Sequence, residues 1–439
     1  MVRTIQASVD ILKYIEKIDT SASLAIGLIF GQTCGNRDYI VHMAKTSILP
    51  PLKLRTLSDV NDLWLADHAK QATRMLPGGM FVIGVFLVTD TDILAASFPV
   101  HLKSLLSQLN KTLSAEYLYG NTDNNEKIIL NYCLKTKSIK CKSFEVATSS
   151  VKPAEIKFTE DRNKWIKLEC RYELDETYFL ENNNHEVDLK KHMNIILKDV
   201  NNNLKSSVIL YDGEVKNEDE ILDSFSKKKK ILRSSKISYT DSEHDCKPIT
   251  VTILQSCNEK FTDISIKSTD NQIKIVGQIV SNVWLNPAIS FKIATASIVQ
   301  DIMRSLSTRL EMHWDSLIEE EHKEDSNSIH EPPRRVMITL PQSGITVSDY
   351  LFPGEGAEEA KNSVEEILDI KLDGQSDVIQ DVEGSIDITN YGGNISQIAE
   401  GKVTKEEKEH NRMLFIIGSV FAFIVLIISV LVHILIKYL

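Results

Sequence analysis

The alternation of apolar and polar positions predicts a strand hairpin first. Residues 24–31 form a short apolar run of β-compatible side chains, residues 32–36 are turn-like, and residues 38–44 follow as a second strand. Ser58 or Asp59 can cap a helix whose Val60, Trp64, His68, Ala72 and Met75 recur at three- and four-residue steps, giving it one apolar face. Pro77-Gly78-Gly79 stops that helix. Residues 80–88 are then too continuously apolar to have a wet side, which predicts a central strand covered on both faces. A second helix over 100–113 and strands over 127–134 and 139–146 complete an α/β unit of two or three layers, assigned to residues 1–150.

From residue 164 the texture changes to isolated alternating strands, such as 165–170 and 272–284, separated by Asn- and Ser-rich loops. This predicts a second, β-rich α+β domain over 151–354. It contains one long helix, with Ala294, Ile298, Ile302, Leu306, Leu310, Trp314 and Leu317 in a stripe that has to pack on a sheet or on the first domain. Pro332-Pro333 breaks the pattern and residues 335–340 give one more strand. Residues 355–412 are acidic and Gly-containing with few aromatics, which predicts a flexible acidic tether.

Residues 413–436 are an unbroken apolar run that includes Met413, Leu414, Phe415, Phe421, Phe423, Leu435 and Ile436. At the helical rise per residue the run reaches roughly 36 Å, enough to cross a hydrocarbon core of about 30 Å with some tilt. No charged-then-apolar leader opens the chain, so the expected topology is a single C-terminal transmembrane helix inserted after translation, with the bulk in the cytosol. The length and apolarity of the span point to the endoplasmic reticulum membrane ahead of the mitochondrial outer membrane.

Composition narrows the chemistry. With 42% hydrophobic and 25% charged residues the chain is globular in make-up, and most of its net charge of −11 belongs to the acidic stretch, so nothing points to a nucleic acid partner. The six cysteines are scattered, without Cys-x-x-Cys, as expected of free thiols in a reducing compartment. None of the eleven histidines lies two residues from another, and no His-Glu-x-x-His, Gly-x-Ser-x-Gly or phosphate-loop pattern occurs. Two residues invite a closer look. Cys34, beside Gly35 and Arg37, has the setting of an activated thiol only if a base reaches it, and it reads better as a strand-end structural cysteine. His68 lies on the apolar face of the first long helix beside Trp64 and reads as a core histidine with a satisfied ring nitrogen. No catalytic, cofactor-binding or metal-binding residue emerges, and a divergent thiol- or metal-dependent hydrolase is the alternative to a non-enzymatic protein.

The segment from Trp64 through His68, Arg74, Met75, Leu76, Pro77, Gly78 and Gly79 to Phe86 resembles the hallmark of the odorant response abnormal protein 4 family. The Gly-x-x-x-Gly-Gln strand end at residues 27–32, the helix around 301–312, the stretch 335–350, the acidic segment and the apolar terminus follow in the same order. The resemblance implies an N-terminal domain of MPN type without zinc ligands. It also implies a non-enzymatic, membrane-anchored adaptor of the endoplasmic reticulum that supports folding, maturation or trafficking of seven-helix odorant receptors to cilia. The cysteine protease that processes the ubiquitin-fold modifier is the implied soluble partner, and the lipid bilayer is met through the terminal helix. No ligand-binding or catalytic residue of the family carries over to a position of this chain.

Overall fold

The first sheet closes on itself, because its last strand returns to its first. The structure, a computed structural model, describes residues 2–18, 24–47, 54–95, 98–121, 125–160, 164–180, 189–223, 247–255, 271–319, 331–372 and 379–383. Seven strands, β1 (Arg3–Ser8), β2 (Leu24–Cys34), β3 (Arg37–Lys45), β4 (Phe81–Thr89), β5 (Glu126–Cys133), β6 (Ser138–Glu145) and β7 (Ser150–Thr159), neighbour in the order β1-β3-β2-β4-β5-β6-β7. β7 then runs parallel to β1, from Arg3 opposite Ala154 to Ser8 opposite Thr159. Open layering was the expectation for this unit. Closure replaces it, since a barrel leaves neither end strand with unpaired backbone groups. The closing strand begins at Ser150, so the expected boundary at residue 150 falls on an integral part of the barrel.

β4 is the central strand of the expectation, antiparallel to β2 and parallel to β5, with every residue after Phe81 buried. One apolar cluster joins Ile5, Met43, Phe86 and Leu130 to Ile11 and Ile15 of helix α1 (Val9–Lys17). Another joins Leu28, Val82 and Leu87 to helices α2 (Asp62–Met75) and α3 (Val100–Leu113) through Leu65, Ala69, Leu102 and Leu106.

A second sheet has five strands, β8 (Ile166–Leu180), β9 (Val208–Tyr211), β10 (Glu214–Val215), β11 (Ile249–Leu254) and β12 (Asn271–Leu285), in the order β10-β9-β11-β8-β12. Helices α4 (Leu189–Ser206) and α5 (Phe291–Glu319) cover it, with Ile196, Val200, Ile298 and Ile302 against Leu168, Tyr172 and Val283. The third sheet is β14-β13-β15, from β13 (Arg334–Thr339), β14 (Thr346–Leu351) and β15 (Ile379–Asp381).

The stretch expected to be open tether from residue 355 starts instead with helix α6 (Ala357–Leu368). Ala360, Val364 and Leu368 recur at four-residue steps and are buried, and with Val336, Ile338 and Val347 they share the cluster that holds α2 and α3. The C-terminal part of the described chain therefore packs back on the barrel, and residues up to Gly384 make one compact unit. The fold is mixed α/β, as expected. Among the described residues no helix is long and apolar enough to cross a membrane. The apolar run 413–436, with Met413, Leu414, Phe415, Phe421, Phe423, Leu435 and Ile436, and the remainder of the acidic stretch from residue 384 lie outside the described residues.

Candidate functional site

The helix-Pro-Gly-Gly-strand segment forms the joint between the barrel and the long helix of the second sheet. Asn61 caps α2, its side chain accepting from Leu63 N at 2.9 Å, and the helix ends where Leu76 turns extended at the C-cap. Gly78 follows, and a Cβ there would lie 2.0 Å from Ser297 O and 2.8 Å from Asp301 Cβ. Only a residue without a side chain lets the α5 backbone approach that closely. Gly79 has φ +78°, the left-handed region that suits glycine.

Both freed amides point at α5. Gly78 N donates to Asp301 Oδ1 and Gly79 N to Gln300 Oε1, each at 2.8 Å. Arg304, one turn further along α5, donates from Nη1 to Leu76 O at 2.8 Å and from Nη2 to Tyr119 O at 2.6 Å. From β2, Gln32 Nε2 donates to Gly79 O at 3.0 Å while its Oε1 accepts from Asn286 N at 2.8 Å. At the rim, Glu311 accepts from Arg74 at 2.6 Å and from Lys70 at 3.2 Å.

Asp301 also anchors the third sheet. Arg335 of β13 approaches it in bidentate fashion, Nη1 to Oδ2 at 2.8 Å and Nη2 to Oδ1 at 3.0 Å, with both side chains buried. The same guanidinium donates to Val280 O at 3.0 Å and to Ser348 Oγ at 2.8 Å. Burial works to lower the pKa of Arg335, and the Asp301 carboxylate overrides it, so the pKa is raised. Arg304 has no such carboxylate fork, and burial pushes it down to about 10 against the more distant pull of Asp301. Glu383 fastens the last described stretch to this hub: Oε1 accepts from Val280 N at 2.9 Å, Oε2 from Arg335 N at 3.0 Å, and Arg309 Nη2 reaches both oxygens at 2.5 and 2.6 Å. A buried charged cluster of this kind costs desolvation but penalises any rearrangement that separates its members.

Of the residues singled out in the sequence, Pro77, Gly78, Gly79, Leu76 and Arg74 meet at this joint, and Met75 is buried in the core cluster beside it. Trp64 is half-buried on α2. His68 is satisfied at both nitrogens, Nδ1 at 2.8 Å from Thr46 Oγ1 and Nε2 at 2.7 Å from Ile367 O. Cys34 sits at the end of β2, where burial raises its thiol pKa and Arg37 offsets this only in part. That is the setting of an inert thiol. Among the described residues no group of three His, Cys, Asp or Glu side chains could hold a metal ion.

A family profile spans the barrel from β2, the joint and the sheets that follow it: the profile described as "Odorant response abnormal 4-like" matches residues 27–379. The chain belongs to the ODR4-like family. Among its relatives, the Protein odr-4 homolog of Homo sapiens is 27% identical, the match covering 81% of either chain. The Protein odr-4 homolog of Drosophila melanogaster is 26% identical over 96% of either chain. Odorant response abnormal protein 4 of Caenorhabditis elegans is 21% identical over 78% of this chain and 72% of its own. Among solved structures, UfSP from C. elegans overlaps 84% of this chain and 57% of its own with a TM-score of 0.43 and 10% identity, a likeness on which nothing below rests.

For the ODR4-like chain, sequence reading located the turn but not its partners. Asp301, Arg304 and Arg335 were inside recognised segments, yet their roles were missed. One signal was available: Asp301 and Arg304 stand among the apolar positions of α5, which is buried from Ser297 to Thr308 except at half-buried Gln300, so these charges need partners inside the fold.

Proposed function

We propose that this protein is a non-enzymatic, membrane-anchored adaptor of the endoplasmic reticulum. It supports folding, maturation or trafficking of odorant-type seven-helix receptors toward cilia, and it recruits the cysteine protease that processes the ubiquitin-fold modifier. Family membership carries this reading, because its relatives are named for the odorant response. The joint supports it from the chemical side. The hallmark backbone amides and carbonyls, which an enzyme would aim at a substrate, are engaged by Gln32, Gln300, Asp301 and Arg304 inside the protein. Cys34, the one thiol considered as a nucleophile, is shifted away from the thiolate.

In this reading the head is a rigid binding surface and the acidic stretch with the apolar terminus holds it at the bilayer. Confinement raises the local concentration of a bound partner without adding contacts. Affinity purification of the full chain from native membranes tests it: the modifier protease and receptor chains co-isolate at levels above an unrelated anchored protein. If neither is enriched, the adaptor reading fails.

A further inference from the structure

Helix α6 ends against three side chains supplied by three separate elements. The last carbonyls of a helix have no partner within it. Ile367 O lies 2.7 Å from His68 Nε2 of α2, and Leu368 O lies 2.6 Å from His42 Nε2 of β3. Asp369 follows in the left-handed region with φ 48°, and its Oδ2 accepts from the Tyr14 hydroxyl of α1 at 2.5 Å. That hydroxyl accepts in turn from Lys45 N at 2.8 Å.

A carbonyl only accepts, so each imidazole carries a hydrogen on Nε2. At His68 the other nitrogen lies 2.8 Å from the hydroxyl of buried Thr46, which donates to it when the ring is neutral. A second proton reverses that bond, Nδ1–H donating to Thr46 Oγ1, and turns the hydroxyl hydrogen away from the ring into the core. His42 is buried and lies parallel to Phe30, ring centroids 6.0 Å apart. Beneath the helix end, a cavity of about 10 Å³ is lined by Phe30, Val41, Pro77, Leu340, Val347 and Leu368. The end of α6 thus covers a small apolar void beside the Pro77 turn.

We propose that α6 is a proton-sensitive latch on the barrel, held closed by the neutral imidazoles of His42 and His68 and released at its C-terminal end when these take up protons. Burial is the largest influence on both rings and lowers both pKa values; the helix-end carbonyls and Asp369 act the other way, joined at His68 by Asp67. Further titratable groups around the helix are Tyr14 from α1, Glu365 of α6 itself, Asp349 from β14 and Glu355, which acts on Asp349; Glu358, Glu359 and Lys361 lie toward the far end of α6. Asp349 opposes the latch: half-buried near Ser363, its carboxyl is pushed up to about 6 by desolvation, so the closed state gains a proton there as pH falls.

The signs follow from linkage. A histidine whose pKa is lowered on docking supports docking fully above its free value near 6.5 and progressively less below it. From pH 7.5 to 5.5 each ring can weaken docking by at most about ten-fold, and Asp349 offsets about four-fold, leaving a ceiling of about twenty-five-fold.

Hydrogen–deuterium exchange of the full chain at the two pH values, corrected for intrinsic rates, reads this directly. Expected is a several-fold to about twenty-five-fold loss of protection in α6 at pH 5.5, with β4 unchanged. Equal protection of α6 at both pH values, or loss in α6 and β4 together, overturns the proposal. In the double variant His42→Gln, His68→Gln, whose amides still donate but do not titrate, the loss of protection at pH 5.5 disappears and Asp349 alone strengthens docking by up to about four-fold; a persisting loss at pH 5.5 also overturns the proposal. Should that variant not fold, Asp349→Asn serves: removing the opposing proton uptake widens the wild-type effect about four-fold, and an unchanged or narrower effect overturns it.

Discussion

Replacing Gly78 by alanine strikes the joint at its tightest point. The new Cβ would stand 2.0 Å from Ser297 O and 2.8 Å from Asp301 Cβ, both on α5. Neither is the free end of a flexible side chain, so the helix or the turn has to move by more than 1 Å to restore ordinary contact of about 3.4 Å. Overpacking of this kind costs about 1–3 kcal/mol. The displacement also loosens the bonds from Gly78 N to Asp301, Gly79 N to Gln300 and Arg304 to Leu76 O. At about 1 kcal/mol for each, the total is about 4–6 kcal/mol, a large part of the stability of an ordinary domain. Urea unfolding of the full chain followed by tryptophan fluorescence measures it: the midpoint falls sharply while the slope is retained. Val100→Ala, at a position 82% exposed, is the control and changes stability by no more than about 0.5 kcal/mol. A Gly78→Ala chain that unfolds at the wild-type midpoint would refute the close approach of α5 and with it the structural role of the hallmark.

Asp301→Asn removes the charge that pairs with buried Arg335, and destabilisation by about 3–5 kcal/mol in the same urea assay is expected; a loss under 1 kcal/mol would contradict the pairing. Lys127 is buried, bonded among the described residues to Val82 O at 3.2 Å and Asn121 Oδ1 at 3.3 Å, and burial lowers it to about 8. The unfolded chain holds that proton up to about 10.5, so the wild type gains stability as pH rises from about 8, and Lys127→Met is more stable at pH 7 by about 1–3 kcal/mol with the gap closing toward pH 10. A gap that does not change with pH would show that the amine is solvated. Cys34→Ala leaves receptor delivery in cells at the wild-type level; abolished delivery with normal folding would revive thiol chemistry.

Elements whose evidence is local were legible in the sequence. The second helix is found at Val100–Leu113 as its apolar spacing indicated, and the unbroken apolar run after Gly79 is the buried strand β4. Barrel closure was not legible, because it joins Arg3–Ser8 to Ser150–Thr159, and no local pattern encodes a register between segments so far apart. β7 carries Lys152, Pro153, Glu155 and Lys157 and has a mostly wet surface, which hid it as a strand. α6 was hidden by composition: three apolar residues at four-residue steps are enough to dock a short helix, and the surrounding acidic residues outweighed them in a window average. At the joint, Pro77-Gly78-Gly79 signalled a turn, while its reason lies on α5 more than two hundred residues away. His68 was read as satisfied in the core and is; its partners Thr46 and Ile367 come from other segments and could not be named in advance.

In the proposed function an internally locked head works by being held at a membrane. The most direct measurement expresses the chain without residues 413–439 and follows three quantities in the same cells: its own membrane fraction, that of the modifier protease, and surface delivery of an odorant-type receptor. The truncated head is expected to stay folded, to move together with the protease to the soluble fraction, and to leave delivery reduced. Normal delivery by a freely soluble, folded head would contradict this reading.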